Sequence, residues 1–250
     1  RIPRASRNPD IDRLAAGKPR LIVLNRIDLA DPALTKRWRE YFERQGVAVL
    51  ETDAKSGRGV SGFVPAVRRL LDAKLREFEA KGQTGRTLRV MILGIPNVGK
   101  STFINKVAGR KAALAGDKPG VTRGRQWINI DRSLDLLDTP GILWPKFDSQ
   151  EVGELLAVTN AIKADVVDKE TLGANFMLRL RRIYPDALRE RYKIEPDEEL
   201  NGYELLEAAA KKRGFLISRG EYDIERMANT LLNEYHDGKL GRLTLETPDE

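Results

Sequence analysis

With 250 residues, 41% of them hydrophobic and 32% charged, the chain can bury the cores of one larger and one smaller domain, and its composition excludes bulk disorder. It has no cysteine, so disulfides and thiolate metal sites are excluded and a reducing cytoplasmic setting is expected; no run approaches the roughly 18 apolar residues of a membrane span. The net charge of +7 is unevenly spread: residues 1–150 hold 29 Lys and Arg against 16 Asp and Glu, and residues 151–250 hold 15 against 21, which suggests two different surfaces and a polyanionic partner for the first.

In chain order, the opening Arg1-Ile2-Pro3, without an initiator methionine, reads as the interior of a longer chain. Leu21–Leu24 is a short apolar run of the kind that forms a strand buried on both faces. A helix over 34–45 and a strand over 47–50 follow. Phe63, Val67, Leu70, Leu71, Leu75 and Phe78 recur at helical spacing, predicting one long helix to about residue 80. Residues 81–85 read as a flexible joint, 88–93 as a buried strand and 100–109 as a helix. A hairpin is expected over 126–130 and 134–137, turning at Asp131-Arg132. This alternation predicts an α/β domain over 1–155 with a mostly parallel, doubly wound sheet covered on both faces. Beyond it strands nearly vanish, and helices fit at 152–163, 169–184, 202–213 and 221–236, so residues 156–250 are expected to form an all-α domain.

Gly94-Ile-Pro-Asn-Val-Gly-Lys-Ser101 fits the GxxxxGK[ST] pattern between a buried strand and a helix. The pattern exists because glycines let successive amide N–H groups wrap a phosphate at a helix N-terminus. Lys100 would reach the β- and γ-phosphates and the Ser101 hydroxyl would ligate Mg²⁺. Asp138-Thr-Pro-Gly141, at a strand end, offers Asp138 to Mg²⁺ through water and the Gly141 amide to the γ-phosphate. Thr122, in the loop between, is the candidate ligand that completes Mg²⁺ coordination when the γ-phosphate is present. Lys100, Thr122 and Gly141 are therefore the candidate catalytic groups.

Asn25-Arg-Ile-Asp28 lies upstream of all of these. A carboxylate such as Asp28 can accept two hydrogen bonds from guanine N1–H and N2–H₂, which adenine does not offer. Asn25 would support guanine O6/N7 and the neighbouring loops, and the stem of Arg26, where lysine is usual, would lie along the base. Asp53-Ala-Lys-Ser56 matches the short loop whose Ala54 amide meets guanine O6, flanked by Asp53 and Lys55. On the phosphate side the contacts are expected from Asn97, Val98, Gly99, Lys100, Ser101 and Thr102.

The order of base motif, base loop, phosphate loop, threonine loop and DTPG resembles a circularly permuted P-loop GTPase. Together with Arg1-Ile-Pro-Arg-Ala-Ser-Arg-Asn-Pro9, Asp138-Thr-Pro-Gly-Ile-Leu-Trp-Pro-Lys146 and Gly238-Lys-Leu-Gly-Arg242, it resembles the bacterial ribosome biogenesis GTPase A family over essentially the whole chain. The resemblance implies GTP and GDP binding, GTP hydrolysis, late maturation of the large (50S) ribosomal subunit and rRNA contact by the helical domain. It also implies an opening strand and a catalytic histidine ahead of Arg1. Asn97 resembles the asparagine of potassium-activated GTPases, implying K⁺ beside the phosphates. A monomeric, cytoplasmic protein is expected.

Two features qualify the chemistry. Ile142 stands where small GTPases commonly carry a water-orienting glutamine, so slow intrinsic hydrolysis stimulated by the ribosomal partner is expected. A GTP-dependent RNA-binding module with incidental hydrolysis is the alternative. The single histidine, His236, sits at a predicted helix end and receives no role. Candidate RNA contacts are Lys111, Lys118, Arg123 and Arg125 near the switch. On the second domain they are Arg179, Arg181 and Arg182, and then Lys211, Lys212, Arg213 and Arg219. The DTPG segment leads directly along the chain into the helical domain, so γ-phosphate-dependent ordering of residues 117–146 is expected to act on that domain.

Overall fold

The protein is described from a computed structural model, which covers all residues except 84, 86, 111–125, 145, 146, 148, 163–167, 218, 219 and 250. Two compact units emerge: Arg1–Lys146 with Glu246–Glu250, and Phe147–Leu245. The expected division at 155/156 therefore differs from the compact units, and the last residues belong with the first unit.

In the first unit the elements run α1 (Asp10–Leu14), β1 (Leu21–Leu24), α2 (Pro32–Arg44), β2 (Ala48–Glu51), α3 (Phe63–Leu70), α4 (Asp72–Ala80), β3 (Leu88–Met91), α5 (Lys100–Ala108), β4 (Gln126–Asp131) and β5 (Leu134–Asp138). Helix α2 starts where its sequence directs. The Asp31 carboxylate accepts from the Ala33 and Leu34 amides at 2.7 and 3.0 Å, and Pro32 fills the first turn, where its missing N–H costs nothing. Its buried face is Leu34, Trp38 and Phe42, a strict i, i+4, i+8 stripe. The expected long helix over 63–80 is instead two, α3 and α4, because Leu71 leaves helical geometry at φ −105°, ψ 9°.

The single doubly wound sheet expected from the alternation is not what these residues form. β1 and β2 pair in parallel as one two-stranded sheet. β3 pairs in parallel with β5, and β5 in turn pairs antiparallel with β4. One apolar core nonetheless joins the two sheets. Leu88, Leu134, Leu136 and Ile128 meet Phe63, Val67, Phe103 and Ile104, with Leu21, Val23 and Leu50 packed against them. Phe63 and Phe103 meet edge to face at 5.2 Å, and each buried side chain of this kind contributes about 1.5–3 kcal/mol. The other face of the three-stranded sheet is open among the described residues: Met91 is 53% and Trp127 51% exposed, with the Arg89 guanidinium over the indole.

The second unit holds α6 (Gln150–Val158), α7 (Lys169–Ile183), α8 (Pro185–Tyr192), α9 (Gly202–Arg213) and α10 (Ile224–His236). Its one strand-like feature among the described residues is an antiparallel bridge between Leu216 and Tyr222. Leu172, Phe176, Met177 and Leu180 of α7 are buried, and the Phe176 ring meets Tyr235 of α10 at 5.0 Å. Two short helices escape the sequence reading. α1 has no buried residue and therefore no periodicity to read, whereas α8 begins at Pro185 in the first turn, which looks like a terminator of α7. α6 stops at Val158, and Asn160 just beyond it takes a left-handed φ of 59°. His236 ends α10, its Nε2 2.7 Å from the carbonyl of Val158, the last residue of α6.

The second unit also contains a buried charge. Glu234 is 6% exposed; it accepts from Arg191 Nε at 3.0 Å, Tyr192 Oη at 2.8 Å and Arg213 Nη2 at 3.0 Å. Burial alone would raise this carboxyl, but the bonds from Arg191 and Tyr192 and the positive charges beside it hold it below its ordinary 4.5. Its stabilisation is therefore fully present above that value and fades as pH falls through the depressed one. Glu234→Gln should lower unfolding stability by about 2 kcal/mol at neutral pH. It should also lose less than the parent on acidification, and urea unfolding of both at pH 7 and pH 3.5 checks this. Equal midpoints at pH 7 would contradict it.

Candidate functional site

Four of the motif loops follow the carboxyl end of a strand: Asn25 after β1, Asp53 after β2, Gly94 after β3 and Thr139 after β5. Asn25 brings three of them together. Its Oδ1 accepts from the Thr52 hydroxyl at 3.1 Å and the Ala54 amide at 3.0 Å, while its Nδ2 donates to the Val98 carbonyl at 2.9 Å. Next to it Arg26 donates from Nη2 to the Asn97 carbonyl at 2.9 Å. Gly99 fits against this junction only because it lacks a side chain: it has φ 94°, and a Cβ there would stand 2.5 Å from Asn25 Nδ2.

Geometry adjusts two of the roles read from sequence. The Ala54 amide, expected to face guanine O6, is bonded to Asn25 and ties the base loop to the base motif. Asp53 folds that loop through its own turn, accepting from the Lys55 and Ser56 amides at 3.0 and 3.2 Å. Burial raises the Asp53 carboxyl and these bonds outweigh it, leaving the group below its usual range. No described residue hydrogen-bonds the half-buried Asp28 carboxylate, so its acceptors remain available.

On the phosphate side, α5 begins at Lys100 immediately after the left-handed Gly99, which places Lys100, Ser101 and the exposed Thr102 in its first turn. Lys100 Nζ donates to the Gly94 and Ile95 carbonyls at 2.9 and 2.8 Å. Burial lowers this ammonium to about 8, against the opposing pull of Asp138. Burial raises Asp138 in turn, opposed by Lys100 and the Thr139 amide. Asp138 Oδ1 is buried with no hydrogen-bond partner among the described residues. An orphaned carboxylate oxygen at a strand end, with a serine hydroxyl in the adjacent helix turn, fits a hard divalent cation such as Mg²⁺ or its bound water. Asn97 takes φ 59°, a turn geometry asparagine tolerates.

The DTPG segment is stapled to the phosphate loop. Thr139 Oγ1 donates to the Ile92 carbonyl at 2.7 Å and the Ile142 amide to the Gly94 carbonyl at 3.2 Å. A Cβ on Gly141 would meet Pro96 Cα at 2.7 Å, so only glycine allows this approach. The Ile142 side chain is 46% exposed and apolar, unable to orient water. Thr122 and the basic residues Lys111, Lys118, Arg123, Arg125 and Arg219 lie outside the described residues.

Part of the expected basic surface is committed internally. Arg179 donates to the Leu245 carbonyl at 2.8 Å and pairs with Glu151; Arg181 donates to the Asp197 and Leu200 carbonyls at 2.6 and 2.7 Å; Arg213 belongs to the Glu234 cluster. Lys211 and Lys212 stand exposed at the end of α9. Among the described residues no helix is long and apolar enough to cross a membrane.

Known proteins align with this arrangement. The family described as 50S ribosome-binding GTPase matches residues 89–184, which begins within β3 and leaves Asn25–Asp28 upstream of the match. Ribosome biogenesis GTPase A of Bacillus cereus is 43% identical over 251 residues, covering 100% of this chain and 84% of that protein. The Priestia megaterium protein of the same name is 42% identical, covering 100% and 87%. Among solved structures, GDP-bound TM YlqF superposes with a TM-score of 0.71 at 29% identity, covering 99% of this chain and 91% of its own. GNP-bound YlqF from T. maritima does so with 0.62 at 28%, covering 98% and 91%. The chain belongs to the ribosome biogenesis GTPase A family of GTP-hydrolysing enzymes.

Proposed function

We propose that this protein binds GTP and GDP at residues 94–101 with Asp28 selecting guanine, and hydrolyses GTP as an assembly factor in late maturation of the large ribosomal subunit. The observation that carries the nucleotide site is Asn25, which bonds both Ala54 and Val98 and so unites base motif, base loop and phosphate loop. In this reading the fold is a circularly permuted GTPase domain followed by a helical RNA-contacting domain. Permutation leaves the site intact because the base motif, base loop, phosphate loop and DTPG each need only their own strand end.

The roles follow from chemistry. Lys100, lowered to about 8 by burial and so still mostly charged at neutral pH, is stabilised as the ammonium beside a polyphosphate and neutralises developing charge on the β–γ bridge. The amide of Gly141, held against Pro96, is offered to the γ-phosphate. Ser101, Asp138 and Thr122 would hold Mg²⁺, which when bound shields the phosphate oxygens; Asn97 would contribute to a K⁺ site. Lys211 and Lys212 are candidates for the RNA-facing surface, and the passage from DTPG along the chain into the helical unit carries the nucleotide state to it. A cytoplasmic monomer is part of this reading.

A second reading, a GTP-dependent ribosome-binding module whose hydrolysis is incidental, is favoured by the exposed, apolar Ile142. Turnover in K⁺ buffer with and without large-subunit particles separates the two. Acceleration of at least about tenfold, the 1.4 kcal/mol of one added transition-state contact, supports the switch enzyme, and an unchanged rate supports the module. Base selection has its own test. In Asp28→Asn the amide offers one donor and one acceptor, matching the xanthine O2 and N1–H. GDP affinity should fall at least about a hundredfold while XDP affinity rises. Retained GDP preference in competition binding would remove Asp28 from the base site.

A further inference from the structure

Residues 243–247 belong to no helix or strand, yet Leu243, Thr244, Leu245, Glu246 and Pro248 are buried. Backbone buried outside regular structure must find its hydrogen-bond partners singly. Here side chains supply them one carbonyl at a time. Tyr184 Oη donates to the Thr244 carbonyl and accepts from the Thr244 amide, both at 3.0 Å, and Arg179 holds the Leu245 carbonyl at 2.8 Å. Trp38 Nε1 then holds the Glu246 carbonyl and Arg4 Nη2 the Pro248 carbonyl, each at 3.1 Å.

The hold changes character between Leu245 and Glu246. Up to Leu245 the segment belongs to the second unit, where two buried leucines anchor it. Arg179 also pairs with Glu151 in the first turn of α6, so one side chain of α7 grips the second unit near both of its chain entries. From Glu246 the segment belongs to the first unit, and there the anchor is polar. The Glu246 carboxylate accepts from the successive amides of Arg4 and Ala5 at 2.8 and 2.9 Å, inside a turn closed by the Ser6 amide on the Ile2 carbonyl at 2.9 Å. The Arg4 guanidinium lies over the Trp38 ring at 5.4 Å, and Arg37 pairs with Asp249 at the exposed rim, a contact of the kind that adds little. Apolar burial tolerates small displacements, whereas directional bonds are lost together once their geometry opens. The polar end can therefore release as one step while the apolar end stays in place.

We propose that residues 246–249 are a releasable latch with the Glu246 carboxylate as its hook. Closed, the latch caps the Ile2–Ser6 turn and returns the chain to the first unit, so the second unit is tied at both of its ends. Open, it leaves the second unit attached through Lys146–Phe147 alone, with both units still folded. This device is independent of what the strand-end loops bind.

Glu246→Ala removes the hook. Amide hydrogen exchange should become at least about tenfold faster over residues 4–6 and 246–249, while α7 and α10 stay within about twofold of the parent. The chain has no cysteine, so Glu79→Cys and Glu207→Cys, exposed on α4 and α9, give two unique spin-label sites, one in each unit. The distance distribution between them should broaden in Glu246→Ala. Parental exchange over residues 4–6, equal acceleration throughout the chain or an unchanged distribution would each overturn the proposal. Should Glu246→Ala fail to fold, Glu246→Gln decides, because its amide keeps one acceptor and sets a donor against the second N–H. Acceleration confined to residues 4–6 and 246–249 with a broadened distribution upholds the latch, and parental behaviour in either measurement overturns it.

Discussion

The site depends on one side chain amide that satisfies three loops at once. Asn25 accepts from Thr52 and Ala54 and donates to Val98, so the ends of β1, β2 and the phosphate loop are fixed by three hydrogen bonds to one side chain. No backbone pairing joins the sheet of β1 and β2 to that of β3, β5 and β4. Apolar packing around Phe63 and Phe103 holds the two sheets together but is indifferent to small slides. The directional bonds of Asn25 and Arg26 set the register between base and phosphate ends, because a hydrogen bond weakens steeply with misalignment.

Around that frame the charges are arranged for a missing polyanion. Lys100 and Asp138 are each pushed toward neutrality by burial, and each partly restrains the other. Asp138 keeps a buried oxygen without a partner among the described residues. A site that served only stability would satisfy such groups, since an unpaired buried acceptor costs about 1–3 kcal/mol. Perturbed, under-satisfied ionisable groups at strand ends are the mark of a functional site. By contrast Glu234 in the second unit is surrounded by donors, and its cluster serves packing.

How much of this was legible follows from how local each feature is. The phosphate loop, base motif and DTPG are written in a few adjacent residues whose identities are dictated by close backbone approach, so their positions at strand ends could be read directly. The bond from the Ala54 amide to Asn25 was not legible, because the two residues lie far apart in the chain. The clamp of Arg26 on Asn97 could be suspected only from an arginine where lysine is usual. Within the basic clusters Arg179, Arg181 and Arg213 hold carbonyls and carboxylates of their own unit, partners that the sequence does not announce. The return of the chain end to the first unit was invisible, since it rests on long-range contacts. The Glu246 carboxylate accepts the Arg4 and Ala5 amides at 2.8 and 2.9 Å, and Trp38 Nε1 donates to the Glu246 carbonyl at 3.1 Å.

The central claim is that Asn25 assembles the nucleotide site, and GDP binding by Asn25→Ala tests it most directly. Loss of three hydrogen bonds at one junction should weaken GDP at least about tenfold while circular dichroism shows the fold retained. Parental GDP affinity in a folded Asn25→Ala protein would contradict the account.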